Sequence, residues 1–329
     1  MYGSNPSTDD EERTAFRKAE KNYKLYYDNT RKKKQPRPVD LSEVIDFKSI
    51  SESYRQNGEL PSGIFAIQCD FDSVVFCLES HPGFYFIPGA LTVEEQCRWI
   101  KESLTSFPQP PNRTNHNAIY GPLQDLFAAA KDNKALIQED KYRGTNISEV
   151  EIIQNDINIP KWNFLDQSGA LSRGATSKLV PASVLLRKLR WSTLGLQFVW
   201  SKRNYNISLP HNKIPDALCL LAERMAAAAL PSGEVFQAEA AIVNYFGLGD
   251  TLGGHVDDME KDWSKPIVSM SLCCKGQARE CFHGVPRIFT DKEHADISSL
   301  ELQFSDEDDS AFLEYIRTSR ININIRQVF

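Results

Sequence analysis

One segment near the end of the chain limits the fold more than any other. Arg320-Ile-Asn-Ile-Asn-Ile-Arg326 alternates without a break, so in an extended chain Ile321, Ile323 and Ile325 share one face. Arg320, Asn322, Asn324 and Arg326 share the other. A helix would scatter these isoleucines around its circumference, so the pattern predicts a strand. The polar face is either the solvent side of a half-buried strand or the lining of a barrel interior. Two guanidinium groups in an interior are costly unless anions pair with them. Arg grips a carboxylate through two parallel hydrogen bonds, which Lys cannot do. An interior position would therefore call for a small diacid.

Upstream, short apolar runs (GIFAIQC, SVVFCL, FYFIP) predict strands between residues 63 and 90. Thr92-Val-Glu-Glu95 has capping-box spacing and starts a helix over 92–106, with Val93, Trp99, Ile100 and Leu104 buried. Residues 108–180 read as loop with one short helix at Leu123–Ala130. An aromatic strand flanked by bases is expected over 185–205, and a helix N-capped by Asp216 over 216–230. AEAAIVNYF and PIVSMSL return to β character, 301–309 is an acidic loop, and 311–318 a short helix. Helices feeding a C-terminal β region make the class α+β. The expected divisions are an N-terminal extension over 1–60, a helical, loop-rich lead-in with substrate-contacting strands over 61–235, and a core over 236–329.

Charge and cysteine narrow the partners. Lys+Arg 38 against Asp+Glu 44 leaves −6, which excludes a chain that is basic throughout. Residues 1–38 are locally basic and contain Arg31, Lys32, Lys33 and Lys34. That run is either a solvated helix and linker or an arm touching phosphate backbones. Seven scattered cysteines suit reduced thiols, and there is neither a secretory h-region nor an 18-residue apolar run. An intracellular place is expected, in nucleus, cytoplasm or an organelle, with no membrane contact.

Gly253-Gly254-His255-Val256-Asp257 is the sharpest local motif. Alternation sends His255 and Asp257 to one side and Val256 to the other. With a further His, they would complete a facial triad of two histidines and one carboxylate, which leaves positions open on non-haem Fe(II). Alone, His-x-Asp is a weak signal. Asn244, eleven residues before His255, is either an amide donor to a ligand or a turn residue.

In this order the motifs resemble the AlkB family of Fe(II)- and 2-oxoglutarate-dependent dioxygenases, and within it the AlkB homologue 1 subgroup. The likeness runs through AFRKAEKNYKLYYD, DLSEVIDF, GFYFIPGALTVEEQCRWIKESL, LRWSTLGLQFVW, QAEAAIVNYFGLGDTLGGHVDD, SKPIVSMSL, HGVPRI and SRININIRQV. It implies a double-stranded β-helix, or jelly roll, with N-terminal helices packed on it. It implies His255, Asp257 and His283 as iron ligands. Arg320 would hold the distal carboxylate of 2-oxoglutarate, with Asn244, Phe246 and Asn322 also at the cosubstrate and Arg326 near the metal-binding carboxylate or the cosubstrate. The family usually has Tyr where this chain has Phe246. Asp258 would meet the substrate base, and Trp191, Trp200, Tyr205, Lys202 and Arg203 would stack against and hold a strand. The implied activity is oxidative demethylation of bases in methylated DNA or RNA, tRNA included. It consumes O2 and releases succinate, CO2 and formaldehyde, with the protein acting as a monomer. An oxygenase of protein side chains, or an impaired variant that only binds nucleic acid, are the alternatives.

Spacing qualifies the resemblance. Four strands should separate the His-x-Asp from the distal histidine, which needs roughly 40 residues. Residues 258–282 supply 25. The chain therefore looks like a member lacking an internal block, joined near Cys274–Ala278, with an incomplete jelly roll. Such a loss is expected to carry His283 out of ligand reach and to weaken or abolish activity.

Overall fold

The structure is a computed structural model that describes residues 17–18, 20–23, 27–28, 35–36, 40–68, 73–138, 162–166, 179–273, 283–286, 288 and 297–329. Arg31, Lys32, Lys33 and Lys34, and the junction expected near Cys274–Ala278, lie outside these residues. Helix α1 (Phe47–Asn57) lies on an antiparallel sheet of β1 (Ile64–Ile67), β2 (Val75–Leu78) and β3 (His81–Phe86). The Phe47 ring stacks on Phe86 at 4.3 Å and approaches Phe76 at 6.0 Å. Residues within the span read as an extension thus pack onto this sheet.

Helix α2 (Val93–Thr105) starts at the capping box: Glu95 N–H donates to Thr92 Oγ1 at 3.2 Å, and Thr92 N–H to Glu95 Oε2 at 2.8 Å. It buries Trp99, Ile100 and Leu104. Helix α3 (Leu126–Lys131) and the strands β4 (Lys134–Gln138) and β5 (Trp162–Asp166) follow. The strand expected over 185–205 is instead a helix and three short strands. Pro181 presets the start of α4 (Ala182–Arg187), which buries Leu185. Then come β6 (Trp191–Gly195) and the hairpin of β7 (Gln197–Val199) and β8 (Asn204–Asn206). Gly195 divides them at φ +64, where a Cβ would collide with the Glu239 carbonyl oxygen.

Helix α5 (Asp216–Ala226) is preceded by Pro215 at the cap position. Asp216 does not cap it; its carboxylate accepts from Lys213 Nζ at 2.7 Å. The remaining elements are β9 (Ala240–Gly247), β10 (Leu252–His255), β11 (Ile267–Leu272), β12 (His283–Val285), α6 (Ser298–Gln303), α7 (Ser310–Ile316) and β13 (Ser319–Arg326). The expected acidic loop at 301–309 is largely α6 and a 3-10 turn, because Leu300 and Phe304, four apart, anchor it in the core.

The core is an α+β jelly roll. Its larger sheet runs β11-β13-β9-β6, antiparallel throughout, and the smaller pairs β10 with β12. Ile321, Ile323 and Ile325 are wholly buried with Val243, Tyr245, Val268, Met270 and Leu272. That face packs on Trp99 and Leu104 of α2, Leu218 and Leu221 of α5, and Ile316 of α7. Each buried isoleucine contributes about 2 kcal/mol. The polar face looks inward, as a barrel lining does. Register places Trp191, Asn244, Asn322 and Ser271 in one row across four strands, and pairs Phe246 with Arg320. Arg320 and Arg326 are 2% and 5% exposed, so neither faces solvent.

A full jelly roll has eight strands. Among the described residues this one has five, β9 to β13, extended by β6. Only β11 stands between β10 and β12 there, and it lies at the edge of its sheet. No helix of the described residues is long and apolar enough to cross a membrane.

Candidate metal centre

The β10–β12 pair sets His255 directly opposite His283. Their ring centroids are 4.3 Å apart. Asp257, two residues past His255, turns back between them: Oδ1 lies 3.7 Å from His255 Nε2, and Oδ2 3.7 Å from His283 Nε2. One ligand atom from each residue falls within 4.8 Å of the other two. His255 Nδ1 faces the Gly253 carbonyl at 3.0 Å. A carbonyl only accepts, so Nδ1 carries the proton and Nε2 keeps its lone pair for a metal. His283 is therefore not displaced, contrary to the expectation from spacing. Its strand pairs with β10 itself, so its place does not depend on strands beyond β11.

Behind the triad is a buried polar network. Arg326 Nη2 donates to Asp257 Oδ2 at 3.1 Å, and Nη1 to Glu260 Oε1 at 3.0 Å. The Tyr205 hydroxyl accepts from Arg326 Nη1 at 3.3 Å and donates to Glu260 Oε1 at 3.4 Å. Burial pushes the Tyr205 hydroxyl up to about 12. Burial alone would lower the Arg326 guanidinium, but Tyr205, Asp257 and Glu260 more than reverse that, and it stays charged.

At the other end of β13, Arg320 Nη2 donates to Ser271 Oγ at 2.9 Å, and the guanidinium lies 5.8 Å from the Phe246 ring centre. Phe246 packs with Val285, Ile288 and Leu252 in a small apolar cluster between the two sheets. Asn244 lies on the same face, opposite Asn322 and Trp191. The Asn322 amide is engaged within the sheet, donating to Ser269 Oγ at 2.9 Å and the Met270 carbonyl at 3.0 Å.

The residues expected at the substrate divide into two groups. Trp191 and Trp200 come together at 5.3 Å, with Trp200 49% exposed at the hairpin tip. Lys202 is exposed beside them. Arg203 and Asp258 pair with each other at 3.1 Å. Tyr205 differs from its expected role as a stacking platform. Its ring packs on Phe198 at 5.1 Å and its hydroxyl points inward, because β8 turns that side chain to the core. Sequence reasoning missed Glu260, which sits in the charged run DMEKD with no periodic cue. It also missed Ser269 and Ser271, whose alternation in IVSMSL marks them as sharing one face.

The donor set, two imidazoles and one carboxylate with a buried arginine on the same sheet face, fits Fe(II) and a diacid cosubstrate. Comparison with known proteins agrees. Residues 167–276 match the 2OG-Fe(II) oxygenase superfamily. The chain is 57% identical to the Arabidopsis thaliana protein named "DNA N(6)-methyladenine demethylase ALKBH1A", with 100% of both chains covered. It is 26% identical to the Homo sapiens "Nucleic acid dioxygenase ALKBH1" over 89% of this chain and 80% of that one. It is 25% identical to the Schizosaccharomyces pombe "tRNA demethylase abh1" over 97% of each. The chain belongs to the AlkB homologue 1 family of Fe(II)- and 2-oxoglutarate-dependent dioxygenases. The plant alignment spans 362 positions against 329 residues here, so at least 33 of its positions have no counterpart in this chain.

Proposed function

We propose that this chain oxidatively removes N-linked methyl groups from bases of DNA or RNA, with His255, Asp257 and His283 holding Fe(II). The convergence of those three side chains carries the reading. Bound Fe(II), 2-oxoglutarate and O2 supply the oxidation that hydroxylates an N-linked carbon, so that succinate, CO2 and formaldehyde leave. The protein's own residues do the positioning. Arg320, buried and aimed along the inner face, pairs with the distal carboxylate of the diacid, and Asn244 lines the same floor. Phe246 seals that end with Val285, Ile288 and Leu252 and keeps water from the carboxylate pair. Arg326 fixes the Asp257 carboxylate.

A target base has to leave its stack to reach this interior. Exposed Trp200, beside Trp191, offers a stacking surface, and Lys202 and Arg203 at the same tip offer charge to the backbone. Asp258, paired with Arg203 in the structure, meets the base when Arg203 turns to phosphate. Arg31, Lys32, Lys33 and Lys34 add a second backbone contact. The relatives' names point to both methyladenine in DNA and modified tRNA as substrates. The protein works as a monomer inside the cell, in nucleus, cytoplasm or an organelle.

The test is succinate and formaldehyde release by purified protein on an N6-methyladenine DNA oligonucleotide and on methylated tRNA, beside His283→Ala. Turnover abolished by His283→Ala is expected. Turnover unaffected by it, or none on either nucleic acid, refutes the proposal.

A further inference from the structure

Glu260 is the most deeply placed acid at the site, its side chain wholly out of solvent, yet neither the triad nor the diacid clamp uses it. A buried ion pair is costly, and apolar side chains of similar volume in place of the whole pair are often no worse for stability. Its place is informative. Arg326 bridges two carboxylates through different nitrogens, Asp257 at 3.1 Å and Glu260 at 3.0 Å. The Tyr205 hydroxyl stands beside both Arg326 and Glu260.

We propose that Glu260 is a positioning residue for the metal centre: it draws Arg326 to one side, so that the guanidinium engages a single oxygen of Asp257 and leaves the other for the metal. The inference rests on the Fe(II) reading above. Charge supports it. Asp257 and Glu260 balance Arg320 and Arg326, so a dication and a diacid dianion enter a pocket that is neutral before and after. Without the Glu260 charge the pocket is positive before any metal arrives, and Arg326 has one fewer anion to divide it from Asp257. Both effects weaken the hold on a cation.

The same residue ties the metal centre to the exposed hairpin. Segment 257–260 meets β7–β8 at two points, Asp258 with Arg203 at the tip and Glu260 with Tyr205 within it. Displacing the hairpin therefore pulls on the support of Asp257.

Co(II) binding to the full-length, metal-free protein tests this, followed by visible absorption and calorimetry for wild type, Asp257→Ala, Glu260→Gln and Tyr205→Phe. Glu260→Gln, which keeps shape and removes charge, is expected to bind Co(II) about 10–100-fold more weakly. Its metal-free form should keep the wild-type circular dichroism but melt lower, because Arg326 loses a buried partner. Tyr205→Phe should lose less, in the same direction. Wild-type Co(II) affinity in Glu260→Gln, with binding abolished in Asp257→Ala, overturns this inference and leaves the metal site standing. Binding unaltered in Asp257→Ala overturns the metal site itself. Should Glu260→Gln fail to fold by circular dichroism, Tyr205→Phe decides, and unchanged affinity there refutes the proposal.

Discussion

Gly284→Ala probes the contact that keeps the two histidines together. Gly284 follows His283 on β12, and a Cβ there would lie 2.7 Å from the Leu252 carbonyl oxygen. It would also lie 3.2 Å from Gly253 C and from Gly254 N. Ordinary contact begins near 3.4 Å, so β10 and β12 must part by about 0.7 Å. The obstructing atoms are backbone, and no side-chain rotation relieves them. His255 and His283 face each other across that same pair, so the opening passes directly into their separation. A misplacement on the order of 1 Å costs about 100-fold in rate. Gly284→Ala is thus expected to lose about 10- to 100-fold in succinate formation, with Co(II) affinity falling in parallel. Gly253→Ala is the control: it lies on the facing strand with no atom within 4 Å of its added Cβ. It should behave as wild type. If Gly284→Ala matches Gly253→Ala in both metal affinity and turnover, strand pairing does not set the ligand geometry.

Arg320→Lys should raise the 2-oxoglutarate requirement by roughly 10-fold or more, the worth of a charge-assisted hydrogen bond, while Co(II) affinity holds; steady-state kinetics with varied cosubstrate measure this. Tyr245 is fully buried on the helical side, and its hydroxyl donates to the Ser103 carbonyl at 2.6 Å. Tyr245→Phe should cost about 1–3 kcal/mol in urea unfolding without touching metal affinity. Burial raises Tyr205 from 10.0 to about 12, so above pH 10 the unfolded chain loses that proton before the folded one does. Stability should therefore fall by about 3 kcal/mol as pH rises through that interval, and Tyr205→Phe should flatten the fall. The Arg203–Asp258 pair is exposed, so Asp258→Asn should change stability by less than about 1 kcal/mol. A larger loss of turnover on methylated oligonucleotide would then report contact with the base.

The strands and helices legible in the sequence were those whose pattern answers to one face. The isoleucines of β13 and the capping box of α2 determine their elements locally, and both recur in the structure. The stretch 185–205 departs from the expected strand because Leu185 and Leu186 suit a strand or a helix equally. Pro181 is a local helix-start signal beside them, whereas the close approach at Gly195 that breaks the stretch depends on Glu239 and Ile214, distant in sequence. The site shows the same division. His255 and Asp257 are apparent from alternation, whereas His283 needed the family resemblance. Glu260 carries no periodic signal, since its role depends on Arg326 arriving from β13.

The shortened spacing between Asp257 and His283 would be expected to part the ligands, and strand order explains why the three side chains still converge. The two histidines sit on β10 and β12, which pair directly, Asp257 follows β10 by two residues, and the arginines sit on β13 between β11 and β9. None of these strands needs a neighbour beyond β11 to find its register. What a further strand would supply is cover. Ser269 and Ser271 of β11 share the inner face with Asn322, yet both are exposed, which leaves the cleft open along that side. Among the described residues, a small apolar cluster around Phe246 and the Arg326–Asp257 contact join the two sheets. The consequence of the short segment therefore falls on how firmly the sheets are clasped, not on which ligands meet. A bound metal, by gathering Asp257 to the β10–β12 pair while Arg326 holds it from β13, strengthens that clasp, and by linkage it stabilises the folded chain as it loads.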